Sequence, residues 1–297
     1  MKKLIALLLL LLLLPVAAGA GTVVTSFYPV WLFTLNLTDG IPDLNVKNLA
    51  SPDTGCLHDY QLSTGDLKTL SGADVFLING AGMETYLDHV FSAFPDLPVV
   101  SAADGIPLLN DSSSLQIGET EDADMPNAHI WLDASNAAAM VRNLAEGLIR
   151  VMPEYEAVIR TNAENYTARL LQLDSTLKDS LSSLPHTDIV TFHEAFPYFA
   201  KAYGLTVAAV VNREPGETLT PAQMARLADV VGQLGNPPLF VEPQYDDLSA
   251  RILAAETGAP VYSLDPIVTG PESDVPSDYY ETVMLRNMAV LCEALGN

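Results

Sequence analysis

Apolar positions along this chain fall into two periods, short apolar runs and stripes at three- and four-residue steps, and the two alternate. Val23-Val24-Thr25-Ser26 reads as a strand, and Pro29, suited to a first helical position, opens a helix carrying Trp31, Leu32 and Leu35. Val46 to Leu49 is a second strand, running into the loop Ser51 to His58. Ser63 caps a helix holding Leu67 and Leu70, with Asp66 as the acid of a capping box. Val75-Phe76-Leu77-Ile78 is unbroken apolar, the mark of a strand buried on both faces of a parallel sheet. A helix through Tyr86 to Phe91 and a strand at Val99-Val100 continue the alternation. Residues 110–127 carry acids and serines without apolar periodicity and predict an exposed loop.

The pattern is then helical from Ser135 to about Leu184, divided at Pro153. Tyr166, Leu170, Leu173, Leu177, Leu181 and Leu184 form one stripe, and this helix is a candidate backbone between two units. Beyond it the β-α alternation resumes. Strands are predicted at Asp188 to Phe192, Thr206 to Val211, Leu239 to Val241 and Val261 to Leu264. Helices are predicted at Ala195 to Tyr203, stopped by Gly204, then Pro221 to Leu234 after Thr220, Ser249 to Thr257 and Asp278 to Leu295. Alternation of this kind implies parallel sheets covered by helices. The predicted fold is α/β: two lobes, each a mainly parallel sheet flanked by helices, bridged by one long rigid helix. The expected divisions are 21–134 for the N-terminal lobe, 135–184 for the helical segment with the bridge, and 185–297 for the C-terminal lobe.

The first twenty residues stand apart. Lys2 and Lys3 precede a leucine-rich run ended by Pro15, and Ala18-Gly19-Ala20 follows. This predicts a Sec-type signal peptide, residues 1–20, cut after Ala20. The apolar stretch Leu4 to Ala20 is 17 residues, near the lower limit for a membrane span. No cysteine lies near the cut to carry a lipid. A soluble periplasmic or extracellular protein, expected to be a monomer, is the resulting picture.

Charge narrows the partners. The formal net charge is −23, and losing Lys2 and Lys3 takes it to −25. Nucleic acid is excluded as a partner, since phosphate binding needs a basic surface. Two cysteines, Cys56 and Cys292, sit at opposite ends of the mature chain and are not expected to pair. A zinc ribbon is excluded for want of closely spaced cysteine pairs.

Five histidines remain: His58, His89, His129, His186 and His193. His58 and His193 lie where strands give way to loops, as does Asp265, and ligands gather at the carboxyl ends of strands in α/β sheets. His129 follows the acidic loop. Imidazole and carboxylate are good ligands for divalent zinc, but the gaps of 71, 64 and 72 residues form no compact motif. His89, on a helix, and His186, in a proline-containing turn, read as ordinary polar residues.

In these residues the chain resembles the metal-binding receptors of zinc and manganese ABC transporters, the ZnuA/TroA-like family. The matching stretches are Val24 to Pro29, Pro52 through His58-Asp59-Tyr60, Ala73 to Phe76, Asn79 to Glu84, and His129-Ile130-Trp131-Leu132-Asp133. His193-Glu194-Ala195-Phe196, Tyr198, Tyr203-Gly204-Leu205, Glu242-Pro243-Gln244 and Leu264-Asp265-Pro266 follow in order. The resemblance implies metal ligands His58 and His129 from one lobe and His193 and Asp265 from the other. It also implies two α/β lobes bridged by a long helix, and a membrane permease as partner. Three histidines and an aspartate point to Zn(II) as the transported ligand, with Mn(II) as the alternative. An adhesin and a secreted zinc hydrolase are the further readings. No His-Glu-x-x-His or Gly-x-Ser-x-Gly supports an enzyme, and Glu194 is the one base on offer.

The chain departs from that family in three places. The acidic loop has no histidine, so no accessory metal-collecting role is read into it. No lipid-bearing cysteine is present. Cys56 stands two residues before His58, where it reads as a small loop residue, a fifth ligand being the alternative. Glu242, Asp133, and Glu217 near Arg213 are candidates to orient the imidazoles or, equally, to be capping or surface carboxylates.

Overall fold

The computed structural model describes residues 21–57, 60–110, 115–116, 126–211 and 219–296. The predicted signal peptide, His58, Arg213 and Glu217 lie outside the described residues.

Strands β1 (Gly21–Thr25), β2 (Leu44–Asn48), β3 (Val75–Ile78) and β4 (Val99–Ser101) form a parallel sheet in the order β2-β1-β3-β4. Val23 sits opposite both Val46 and Val75. All four β3 residues are buried, which is why the strand reads as an unbroken apolar run. The first crossovers are α1 (Tyr28–Thr38), α2 (Thr64–Leu70) and α3 (Leu87–Ala93). The capping box of α2 is complete: Asp66 N donates to Ser63 Oγ at 3.2 Å, and Ser63 N donates to Asp66 Oδ2 at 2.7 Å.

The second sheet is also parallel: β5 (Leu115–Gln116), β6 (Asp188–Thr191), β7 (Thr206–Val210), β8 (Leu239–Val241) and β9 (Val261–Ser263), in the order β5-β7-β6-β8-β9. β5 corrects the reading of residues 110–127 as loop throughout. Leu115 and Gln116 pair with Ala209 and Val210, so the segment 21–134 lends a strand to the sheet of the second half. Two residues are too few to show a period, and this pairing is made only in the tertiary fold.

Between the sheets, α4 (Ala134–Val151) and α5 (Glu156–Leu181) are separated by a 3-10 turn at Pro153–Tyr155, where proline was expected to break the helix. The 26 residues of α5 span roughly 39 Å at 1.5 Å per residue. Tyr166, Leu170, Leu173, Leu177 and Leu181 are buried along one face, while Leu184 lies beyond the helix end. In the second half, α6 (Pro197–Tyr203), α7 (Pro221–Gln233), α8 (Leu248–Thr257) and α9 (Tyr279–Leu295) complete the layers. α6 starts at Pro197 rather than Ala195, and Gly204, at φ 74°, closes it in the left-handed conformation. α5 packs on α1, α4 and α9 and so touches elements of both halves.

One apolar cluster runs from β1 and α1 through Trp131 to α4, α5 and α9. A smaller one, including Val190, Leu227, Val231, Leu239 and Leu253, packs α7 and α8 against the second sheet. Trp131 joins the halves. Its ring meets Phe27 edge-on at 5.2 Å, its Nε1 donates to Pro266 O at 2.7 Å, and its carbonyl accepts from the Tyr280 hydroxyl at 2.6 Å. No disulfide joins Cys56 and Cys292. Among the described residues, no helix is long and apolar enough to cross a membrane.

Candidate metal centre

Each candidate ligand stands just beyond the end of an element that fixes its backbone. His193 lies two residues past β6, Asp265 two past β9, and Cys56 in the loop after β2. His129 opens the 3-10 turn Ile130–Leu132. These strand ends converge because all the strands in each sheet run the same way.

His129 and His193 are both 2% exposed, and their rings meet edge-on at 4.9 Å. His193 Nδ1 lies 2.7 Å from Glu242 Oε1. An ionised carboxylate can only accept, so Nδ1 carries a hydrogen and, in the neutral ring that a metal requires, Nε2 is the nitrogen with the lone pair. His129 is held in the same sense by a different group. Its Nδ1 is 3.2 Å from Asn127 Oδ1, which also accepts the His129 backbone N–H at 2.9 Å. Asn127 Nδ2 donates to Glu194 O at 2.8 Å, which orients the amide with its oxygen towards His129. Both imidazoles therefore offer Nε2 as the donor.

Cys56 Sγ is 3.4 Å from His129 Nε2. Among the described residues, the donor atoms of Cys56, His129 and His193 all lie within 4.8 Å of one another. Cys56, read from the sequence as a small loop residue with a fifth ligand as the alternative, stands in this donor cluster. His58, the fourth candidate ligand, lies outside the described residues. Asp265 is not a member of the close group. Its Oδ1 accepts the Ile267 N–H at 2.8 Å, and its backbone is clamped by Asn287 through bonds of 3.0 and 2.7 Å. Burial raises its pKa, the Ile267 N–H and Arg286 oppose that, and the charge of Glu242 adds to it. His89 and His186 are exposed and stand outside the cluster.

Of the carboxylates weighed as orienting groups, Glu242 takes that part. Its Oε2 is fixed in turn by Gln244 Nε2 at 2.7 Å. Asp133 is instead the N-cap of α4, accepting from Ser135 N and Asn136 N. Asn127 was missed by the sequence reading. Its place two residues before a histidine is the only signal, and an asparagine there is unremarkable until its bonds are seen.

A family model described as zinc-uptake complex component A, periplasmic (ZnuA), matches residues 23–294. The chain belongs to this family. Among curated relatives of this ZnuA-family chain, the zinc-binding protein AdcA of Streptococcus pyogenes serotype M3 is 27% identical over 293 residues, covering 93% of this chain and 56% of AdcA. The chain thus spans about half the length of that relative. The manganese-binding lipoprotein MntA of Halalkalibacterium halodurans is 28% identical over 209 residues, covering 69% of this chain and 66% of MntA. Among solved structures, the Zn(II)-bound ZnuA-like domain of Streptococcus pneumoniae AdcA superposes with a TM-score of 0.79 at 25% identity, over 94% of this chain and 100% of that domain. The two-lobed ZnuA-family architecture expected from the sequence is the one observed.

Proposed function

We propose that this protein captures a divalent metal ion, Zn(II) foremost, between its two lobes outside the cytoplasm and hands it to the membrane permease of an ABC transporter. The observation that carries the reading is the pair of buried imidazoles, His129 and His193, both with Nδ1 engaged and both in one cluster of donor atoms. Buried, oriented imidazoles on different lobes are suited to metal capture and to release when the lobes part. Family membership and the names of AdcA and MntA support a metal as cargo. We assign His129, His193 and Asp265 as ligands, with His58 added on the family resemblance alone. The extracytoplasmic location rests on the pattern of residues 1–20 and on the family's periplasmic description. The ZnuA-family match supports metal capture over hydrolysis as the reading.

Calorimetric titration of metal-stripped protein with zinc and, separately, manganese tests this. One tight equivalent of zinc with much weaker manganese is expected. His129→Ala is expected to lower zinc affinity at least a hundredfold with an unchanged circular dichroism spectrum. Tighter manganese binding would move the cargo to manganese, as in the name of MntA, and failure to bind either ion tightly would sink the reading.

A further inference from the structure

Cys56 is the cluster residue for which the family resemblance provides no role. Its Sγ lies 3.4 Å from His129 Nε2, the nitrogen that Asn127 leaves with its lone pair. With Zn–S of about 2.3 Å and Zn–N of about 2.0–2.1 Å, two ligands of one tetrahedral ion stand roughly 3.5 Å apart. The thiol and the imidazole are already at that separation, and His193 completes a trio within 4.8 Å.

The loop is built to hold the thiol there. Gly55 sits at φ 80°, and a Cβ on it would lie 2.7 Å from the Tyr245 hydroxyl, so the chain passes tightly beneath that ring. The Tyr245 hydroxyl thus lies against the loop that carries Cys56. Gln244 fixes Glu242, and Glu242 fixes His193. One run of residues after β8 thus positions a donor from each lobe.

We infer that the Cys56 sulfur is itself a ligand of the transported metal, giving a Cys-His-His donor trio that selects zinc and other thiophilic divalent ions over manganese. The inference rests on the metal-receptor reading above. On binding, the S–H bond breaks, the sulfur lone pair forms the metal–sulfur bond and the proton leaves to solvent, with no change of oxidation state. A thiolate is a soft donor, which suits zinc, cadmium and cobalt and is a poor match to manganese.

Co(II) titration of the metal-stripped full chain is the test. The unaltered protein and Cys292→Ser are expected to develop a near-ultraviolet thiolate-to-cobalt charge-transfer band that saturates at one equivalent, and Cys56→Ser to bind cobalt without it. The zinc-to-manganese affinity ratio is expected to fall at least tenfold in Cys56→Ser. On the unaltered protein, zinc is expected to slow alkylation of Cys56 at least tenfold and leave Cys292 unaffected, a readout that needs no variant to fold. One tight equivalent of cobalt with no charge-transfer band would overturn the thiolate ligand while leaving the receptor reading intact. Absence of tight binding of cobalt, zinc and manganese alike would overturn both.

Discussion

Glu242 and Asn127 do the same task for two histidines with groups of different strength. The carboxylate on His193 Nδ1 is a charged acceptor at 2.7 Å, and the amide oxygen on His129 Nδ1 is a neutral one at 3.2 Å. A charged acceptor raises the basicity of the distal nitrogen as well as fixing the tautomer. Glu242→Ala is therefore expected to weaken zinc binding about 10- to 100-fold. Glu242→Gln, which keeps an acceptor and loses the charge, should fall between it and the unaltered protein. Competition against a zinc chelator measures both, and equal affinities across the three proteins would show that the carboxylate has no orienting role. Arg169, at the same scale, ties three elements. It pairs with Glu281 at 3.0 Å, donates to Asn36 Oδ1 and to Ser277 O, and lies 4.7 Å from the centre of the Tyr166 ring.

Among the elements, α4 approaches its sheet closely at Gly147. A Cβ there would overlap Val100, with Cγ2 at 2.7 Å and the Val100 Cβ at 3.0 Å. Valine is β-branched and cannot swing clear. Helix propensity alone would make Gly147→Ala stabilising by about 1 kcal/mol, but overpacking costs about 1–3 kcal/mol. The clash offsets or exceeds that gain, and a net loss of up to about 2 kcal/mol is expected. Gly232, on α7, has nothing within 4 Å of the same added atom. Gly232→Ala should follow propensity and stabilise by about 0.5–1 kcal/mol. Urea denaturation of both variants decides the matter, and equal shifts would mean that the packing around Gly147 yields more readily than these distances indicate.

For the whole molecule, stability should depend on pH through Glu84. This buried side chain accepts the backbone N–H groups of Asn79 and Gly80 at 2.7 and 3.0 Å, pinning the end of β3. Asn79 Nδ2 in turn donates to Ala128 O at 2.9 Å, next to His129. Burial pushes the Glu84 carboxyl up to about 7, against the lowering effect of those N–H groups. A carboxyl raised in the folded state holds its proton there while the unfolded chain has lost it. Stability then falls as pH rises from about 4.5 to about 7, and levels off above. The full swing is about 3 kcal/mol. Metal-free protein unfolded by urea across that window should show the decline, and Glu84→Gln should flatten it. A slope unchanged in Glu84→Gln would assign the decline to other groups, among them the buried Asp265 and Glu281, whose pKa values burial also raises.

The elements and the class of fold follow from local pattern alone. Unbroken apolar runs such as Val75 to Ile78 and the stripe from Tyr166 to Leu181 depend on period and burial, which are local quantities, and both were legible. The β-α alternation then left parallel sheets as the only economical arrangement. His129 and His193 were singled out by resemblance and not by spacing, since 64 residues separate them. Which side chains meet is set by the packed fold. It put Cys56 against His129 across 73 residues, gave Glu242 the orienting part and Asp133 the capping part, and turned an oxygen of Asp265 back onto its own loop. It also carried Leu115 and Gln116 across to the second sheet. These outcomes depend on how two lobes and their loops are placed against one another, and no local period encodes that placement.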